Sequence, residues 1–98
     1  MESYLAEVED TFMISGRGLV VAPGFPEKDY VFEKHEKLRI ETPEGNTFEC
    51  EALFQIPFQT PRAKILLYHC MLQNVAKESV PLKSQIWILG KNENEFRK

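Results

Sequence analysis

Long apolar runs are missing from this chain. No stretch approaches the roughly 18 to 20 residues that a membrane helix needs, and the opening Met1-Glu2-Ser3-Tyr4 has no basic region leading into an apolar one. Neither a membrane span nor a secretory leader is expected, and the chain is expected in the cytoplasm. Cysteine is scarce, with two in 98 residues, which excludes the dense disulfide framework of small secreted domains. Cys50 and Cys70 each fall inside an expected strand and read as buried free thiols. There is no Cys-x-x-Cys pair, and His35 lies in an expected connection, so the spacing of zinc ligands is absent. No nucleophile elbow or His-paired cysteine motif is present, and Glu49 and Glu51 read as a solvated strand face. The expectation is a protein with no catalytic group, metal or cofactor. Helix signals are lacking too, since no cap precedes several periodic turns, and no repeat or low-complexity tract occurs.

What is present is an ordinary globular composition. Hydrophobic residues make up 43% and charged residues 28%, enough apolar material for one core and too much for a disordered chain. Net charge is -3, which argues against a protein that holds nucleic acid mainly by neutralising phosphate. The charge is uneven along the chain. Residues 1–58 carry five Lys/Arg against twelve Asp/Glu, giving -7, and residues 59–98 carry seven against three, giving +4. Either the two halves occupy different faces and polarise the molecule, or their strands interleave and mix the charges.

Alternation with period two dominates the pattern. Ala6, Val8, Phe12 and Ile14 share one parity, with Glu7, Glu9 and Thr11 on the other, which predicts a half-buried strand with the first set inward. Ser15-Gly16-Arg17-Gly18 then predicts a tight hairpin into Leu19-Val20-Val21. Pro23-Gly24-Phe25-Pro26 is expected to stop that second strand. Lys37 to Glu41 alternates up to a turn at Thr42-Pro43-Glu44-Gly45-Asn46. Phe48, Cys50, Ala52, Phe54 and Ile56 follow as five inward positions, the cleanest strand in the chain. Ala63 to Leu72 and Gln85 to Leu89 are apolar on both faces, as in central or covered strands. Strands at regular spacing predict an all-β barrel or sandwich, one domain over residues 1–90, with polar residues 91–98 a frayed tail.

Two stretches carry a family resemblance. Val8-Glu9-Asp10-Thr11-Phe12-Met13-Ile14-Ser15-Gly16-Arg17-Gly18-Leu19-Val20-Val21 resembles the opening of the second domain of elongation factor Tu-type translation GTPases, with acidic residues, a phenylalanine and a Gly-Arg-Gly turn running into valines. Phe32 to Ile40 resembles the family's next strand, and Asn74 to Trp87 its closing pattern, so the likeness spans about residues 5 to 89. It implies a small closed antiparallel β-barrel of about six to seven strands, standing without the GTPase domain that accompanies it in the family. No Gly-x-x-x-x-Gly-Lys-Ser/Thr loop occurs, so no GTP is expected to bind this chain. Where the elongation factor has a Glu-Asn pair against the end of transfer RNA, this chain has Arg62-Ala63, a different chemistry.

The candidate contact residues are Arg17, Arg62, Lys64, Tyr68, Lys77, Lys83 and Trp87. Arg17 sits between glycines at a hairpin tip, where it either meets a phosphate or carboxylate or pairs with a neighbouring strand. Tyr68, His69 and Cys70 lie near Arg62 and Lys64, a basic and aromatic grouping suited to single-stranded RNA; strand alternation sends Tyr68 and His69 to opposite faces, which suits packing equally well. The leading expectation is a non-catalytic interaction module that binds a protein partner or forms a homodimer through apolar outer faces, with Leu66, Tyr68, Leu72, Trp87 and Leu89 among the candidates. The alternative is a translation-associated protein that contacts transfer or ribosomal RNA through a continuous basic face.

Overall fold

The computed structural model describes residues 1–57 and 65–98. Among them the strands are β1 (Glu2–Glu7), β2 (Asp10–Ile14), β3 (Gly18–Pro26), β4 (His35–Glu41), β5 (Thr47–Gln55), β6 (Leu67–Leu72) and β7 (Gln85–Leu89). A 3-10 turn at Lys77–Ser79 and a short helix α1 (Glu93–Phe96) complete the chain. The strands form one antiparallel sheet in the order β1-β7-β4-β5-β6-β3-β2. The class is all-β, as expected.

The hairpins follow from their turn residues. In the β2–β3 turn the Arg17 N–H donates to the Ile14 carbonyl at 3.0 Å, and Gly16 and Gly18 both have positive φ. Gly18 is doubly required, because a Cβ there would lie 2.5 Å from the Leu72 carbonyl oxygen. In the β4–β5 turn the Gly45 N–H donates to Thr42 O at 2.9 Å, and the Thr42 hydroxyl accepts from the Asn46 N–H. Inward positions of the strands then meet. Leu19, Val21, Leu38, Ile40, Ala52, Phe54, Cys70, Leu72, Ile86 and Ile88 form the core. At one end an aromatic group closes it: Phe32 stacks on Phe54 at 4.1 Å between centroids and meets Phe25 and Tyr68 edge-on.

The expected closed barrel is instead an open half-barrel. Its two edges, β1 and β2, are consecutive arms of a single bent segment. Val8 is bonded to the β7 side, its N–H donating to Ser84 O and its carbonyl accepting from the Lys83 N–H, while the next residue, Glu9, donates to Ala22 O beside β3. One segment that serves both edges has no second strand to pair with across the seam, so no β1–β2 ladder forms.

The same bend overturns the expected facing of residues 6–14. A register shift between Tyr4 and Ala6 and the change of partner at Val8–Glu9 reset the alternation. Leu5, Val8 and Thr11 are buried, and Phe12 and Ile14, expected inside, are 46% and 37% exposed. Two further expectations change. Strand β3 does not stop at Pro23 but continues to Pro26 across a bulge between Val21 and Phe25. Residues 91–98 are docked: Phe96 is fully buried, its carbonyl accepts from the Val31 N–H, the Lys98 N–H donates to Asp29 O, and Tyr30 bridges Arg97. An Asn92–Glu95 capping box starts α1. Apolar Phe96, alone among polar neighbours, supplies the burial that holds the segment down.

Candidate functional site

The expected contact residues do not gather at one place. Arg62 and Lys64 lie outside the described residues. Lys77 and Lys83 are exposed, on the 3-10 turn and ahead of β7 respectively. Tyr68 turns inward, as part of the aromatic group that packs on the core, and Leu72 is wholly buried there too, so neither belongs to an outer face. Both strand residues obey the alternation that sends His69 and Met71 the other way.

Trp87 does lie on the outer side, half-buried on β7 beside Tyr4 of β1 and Arg39 of β4. Its ring meets Tyr4 edge-on at 5.3 Å, and the Arg39 guanidinium sits 5.1 Å from its centroid. Its Nε1 is buried without a hydrogen-bond partner among the described residues. Arg39 is engaged by Glu2, its Nε donating to Oε2 at 2.8 Å, and that hydrogen bond holds the Glu2 carboxyl below its usual pKa. A guanidinium satisfied by a carboxylate and a ring is a poor receptor for another anion.

Among the described candidates, Arg17 borders a shaped surface. With Ile14 it borders a depression of about 490 Å³ whose other described walls are Gln55, Ile56, Pro57, His69 and Met71. Strand register explains what surrounds it. On the outer face Phe12 pairs with Val20, Val20 with Met71, and Met71 with Leu53, so one apolar row crosses β2, β3, β6 and β5. Val20 and Met71, in the middle of the row, are buried. The row ends at β2 in Phe12, which with Ile14 of the same face remains open to solvent, while Met13, opposite the core residue Leu19 on the other face, is 50% exposed. β2 pairs with β3 alone, so its second edge meets no strand among the described residues. On that edge the Thr11 N–H is held by its own neighbour, donating to Asp10 Oδ1 at 2.8 Å; an edge paired with no further strand and flanked by exposed apolar side chains still has the ingredients of strand addition.

Sequence reasoning placed Phe12 and Ile14 inward and so missed them as surface residues. The signal was ambiguous. With Phe12, Met13 and Ile14 all apolar, either parity leaves apolar side chains on the outer face, so the pattern does not by itself fix which set is buried.

Opposite the row, Phe48, Cys50, Gln73, Val75 and Ser79 are among the residues lining a second depression of about 390 Å³. Burial pushes the Cys50 thiol up to about 11 and drives that of Cys70 higher still, so at neutral pH both hold their protons and neither is a ready nucleophile. Among the described residues no three His, Cys, Asp or Glu side chains converge as metal ligands, and no helix is long and apolar enough to cross a membrane. No family model, curated protein or solved structure matches the chain.

Proposed function

We propose that this chain is a non-catalytic protein-interaction module, akin in fold to the second domain of elongation factor Tu-type GTPases, that takes up an additional β-strand along β2. The observation that carries the reading is the exposure of Phe12, Met13 and Ile14 together on a strand with one paired edge. Backbone hydrogen bonds to an added strand would supply affinity, and alternate side chains would supply selectivity. The kinship in fold is supported by the Gly16-Arg17-Gly18 hairpin, which sits between β2 and β3 as the family's motif sits between its first strands. The outer face of β4 and β5 offers little to an RNA backbone, because Lys37 pairs across from Glu51 and Arg39 from Glu49.

The test is selection of peptides from a random display library on the immobilised protein, followed by amide hydrogen exchange of the complex. Expected are peptides with apolar residues at every second position, protection confined to β2, and loss of binding in Phe12→Asp. Peptides bound equally well by Phe12→Asp would overturn the reading. A parallel titration with bulk transfer RNA addresses the alternative: binding that weakens with salt and with Arg17→Glu, but is indifferent to Phe12→Asp, would replace strand addition with RNA contact.

A further inference from the structure

We infer that the strand taken up along β2 is β2 of a second copy of this chain, in an antiparallel pair whose two-fold axis passes through Phe12. This rests on the strand-addition reading and names its partner.

The two edges of the sheet are not equivalent. β1 carries Glu2, held by Arg39, and Glu7, which accepts from Gln85, and charged side chains at both ends of an edge strand discourage a further strand there. β2 has a single charged residue, Asp10, at its start. The remainder, Thr11-Phe12-Met13-Ile14, carries no charge that would oppose a partner. A contact from β2 of one molecule to β1 of the next would be heterologous and build rings or open chains, whereas β2 against β2 closes as a dimer.

Self-complementarity follows from the order of the residues. An axis through Phe12 places Phe12 opposite its own copy, Thr11 opposite Met13, and Asp10 opposite Ile14. Every pair occurs twice except the central one, and that one sets two aromatic rings side by side on the outer face, a favourable cross-strand combination. The apolar row Phe12–Val20–Met71–Leu53 then runs on into the same row of the second copy.

Charge selects the same arrangement. Asp10 lies at one end of β2 and shares the outer face with Phe12 and Ile14; Arg17, on the turn beyond the other end, borders the same outer depression as Ile14. Antiparallel pairing brings Asp10 of each copy to the end where the other presents Arg17. Parallel pairing would place Asp10 beside Asp10 and Arg17 beside Arg17, which is repulsive. A strand of five residues makes a small interface, so the dimer is weak and reversible, at the lower end of specific contacts.

Sedimentation velocity over a concentration series tests this with the wild type, Asp10→Arg, Arg17→Glu, Phe12→Asp, and an equimolar mixture of Asp10→Arg with Arg17→Glu. The wild type is expected to pass from monomer to dimer as concentration rises. Each charge variant alone is expected to dimerise at least tenfold more weakly, since like charges meet at both ends. Mixing the two should restore dimer to about the wild-type level, because each meeting end then joins opposite charges. Phe12→Asp, with unchanged far-ultraviolet circular dichroism, should stay monomeric.

A wild type that is monomeric throughout would overturn self-pairing, while the peptide selection above would still judge strand addition separately. Growth beyond the dimer would overturn the closed pair. A dimer unmoved by Phe12→Asp, or a mixture no stronger than its components, would overturn this register.

Discussion

Gly18 and Gly45 show how differently two positive-φ glycines constrain the chain. Both adopt backbone angles that favour glycine, but a Cβ at Gly45 would meet nothing within 4 Å, whereas at Gly18 it would run into the Leu72 carbonyl and the Gln73 side chain. Gly45→Ala is expected to cost about 1 kcal/mol of backbone strain. Gly18→Ala should cost roughly 3 kcal/mol, since β6 must also give way. Urea unfolding midpoints of the two variants check this, and equal losses would contradict it.

A second residue-level case is Lys91. Its ammonium donates to Glu36 at 2.8 Å and lies 3.1 Å from Glu33. Burial works against its charge, but the hydrogen bonds to Glu36 and Glu33 outweigh it and raise its pKa. Glu36 is itself buried, and its other described bond is from the Glu33 N–H. Lys91→Met would leave that carboxylate without its cation, at an expected cost of roughly 3 kcal/mol, and Lys91→Met with Glu36→Leu should lose less than Lys91→Met alone. A double-mutant cycle by chemical denaturation reads this directly.

Among the elements, α1 is the one whose contribution exceeds its length. Phe96 stacks near Phe32 at 6.2 Å between centroids, and Phe32 touches Phe25, Phe54 and Tyr68. Phe96→Ala is expected to lose about 3 to 4 kcal/mol. Removing residues 91–98 should expose the aromatic end of the core and raise binding of a hydrophobic dye. An unchanged melting temperature in either variant would mean that the segment does not support the fold.

The β4–β5 hairpin could be read from sequence because its turn, Thr42 to Asn46, is local and its strands alternate without a break. Residues 2–14 could not, because their facing is dictated by β7 and β3, which lie far along the chain and impose separate registers on either side of Val8–Glu9. Phe96 was invisible for a related reason: a single apolar residue has no period. Of the candidate site, Arg17 was legible from its glycines, while the outer row that reaches it depends on cross-strand register across four strands.

For the molecule as a whole, the buried thiols set a limit on the alkaline side. The native state keeps the Cys50 proton until about pH 11, and that of Cys70 beyond it, whereas an unfolded thiol releases its proton near pH 8.5. Above that value the native state binds more protons than the unfolded one, so stability falls as pH rises. The contribution is complete below about pH 8 and declines from there through about pH 11. Lys91 adds to the loss at higher pH, since its raised pKa favours the native state only until its own proton leaves. Denaturation midpoints from pH 7 to 11 should therefore fall, and more gently in Cys50→Ala with Cys70→Ala. A profile of equal slope in that variant would assign the loss to other groups.

The bent segment at the seam has a kinetic consequence. Glu2 pairs with Leu89 and Glu7 with Gln85, so β1 waits for a partner some eighty residues downstream while β2 can zip onto β3 at once. During synthesis the hairpin at Gly16-Arg17-Gly18 can form early, but β1 must remain unpaired until β7 has left the ribosome. Contacts this distant in sequence slow folding. β1, made well ahead of the strand it pairs with, is thus among the last to be paired, and Leu5, which it contributes to the core, is open to solvent until then.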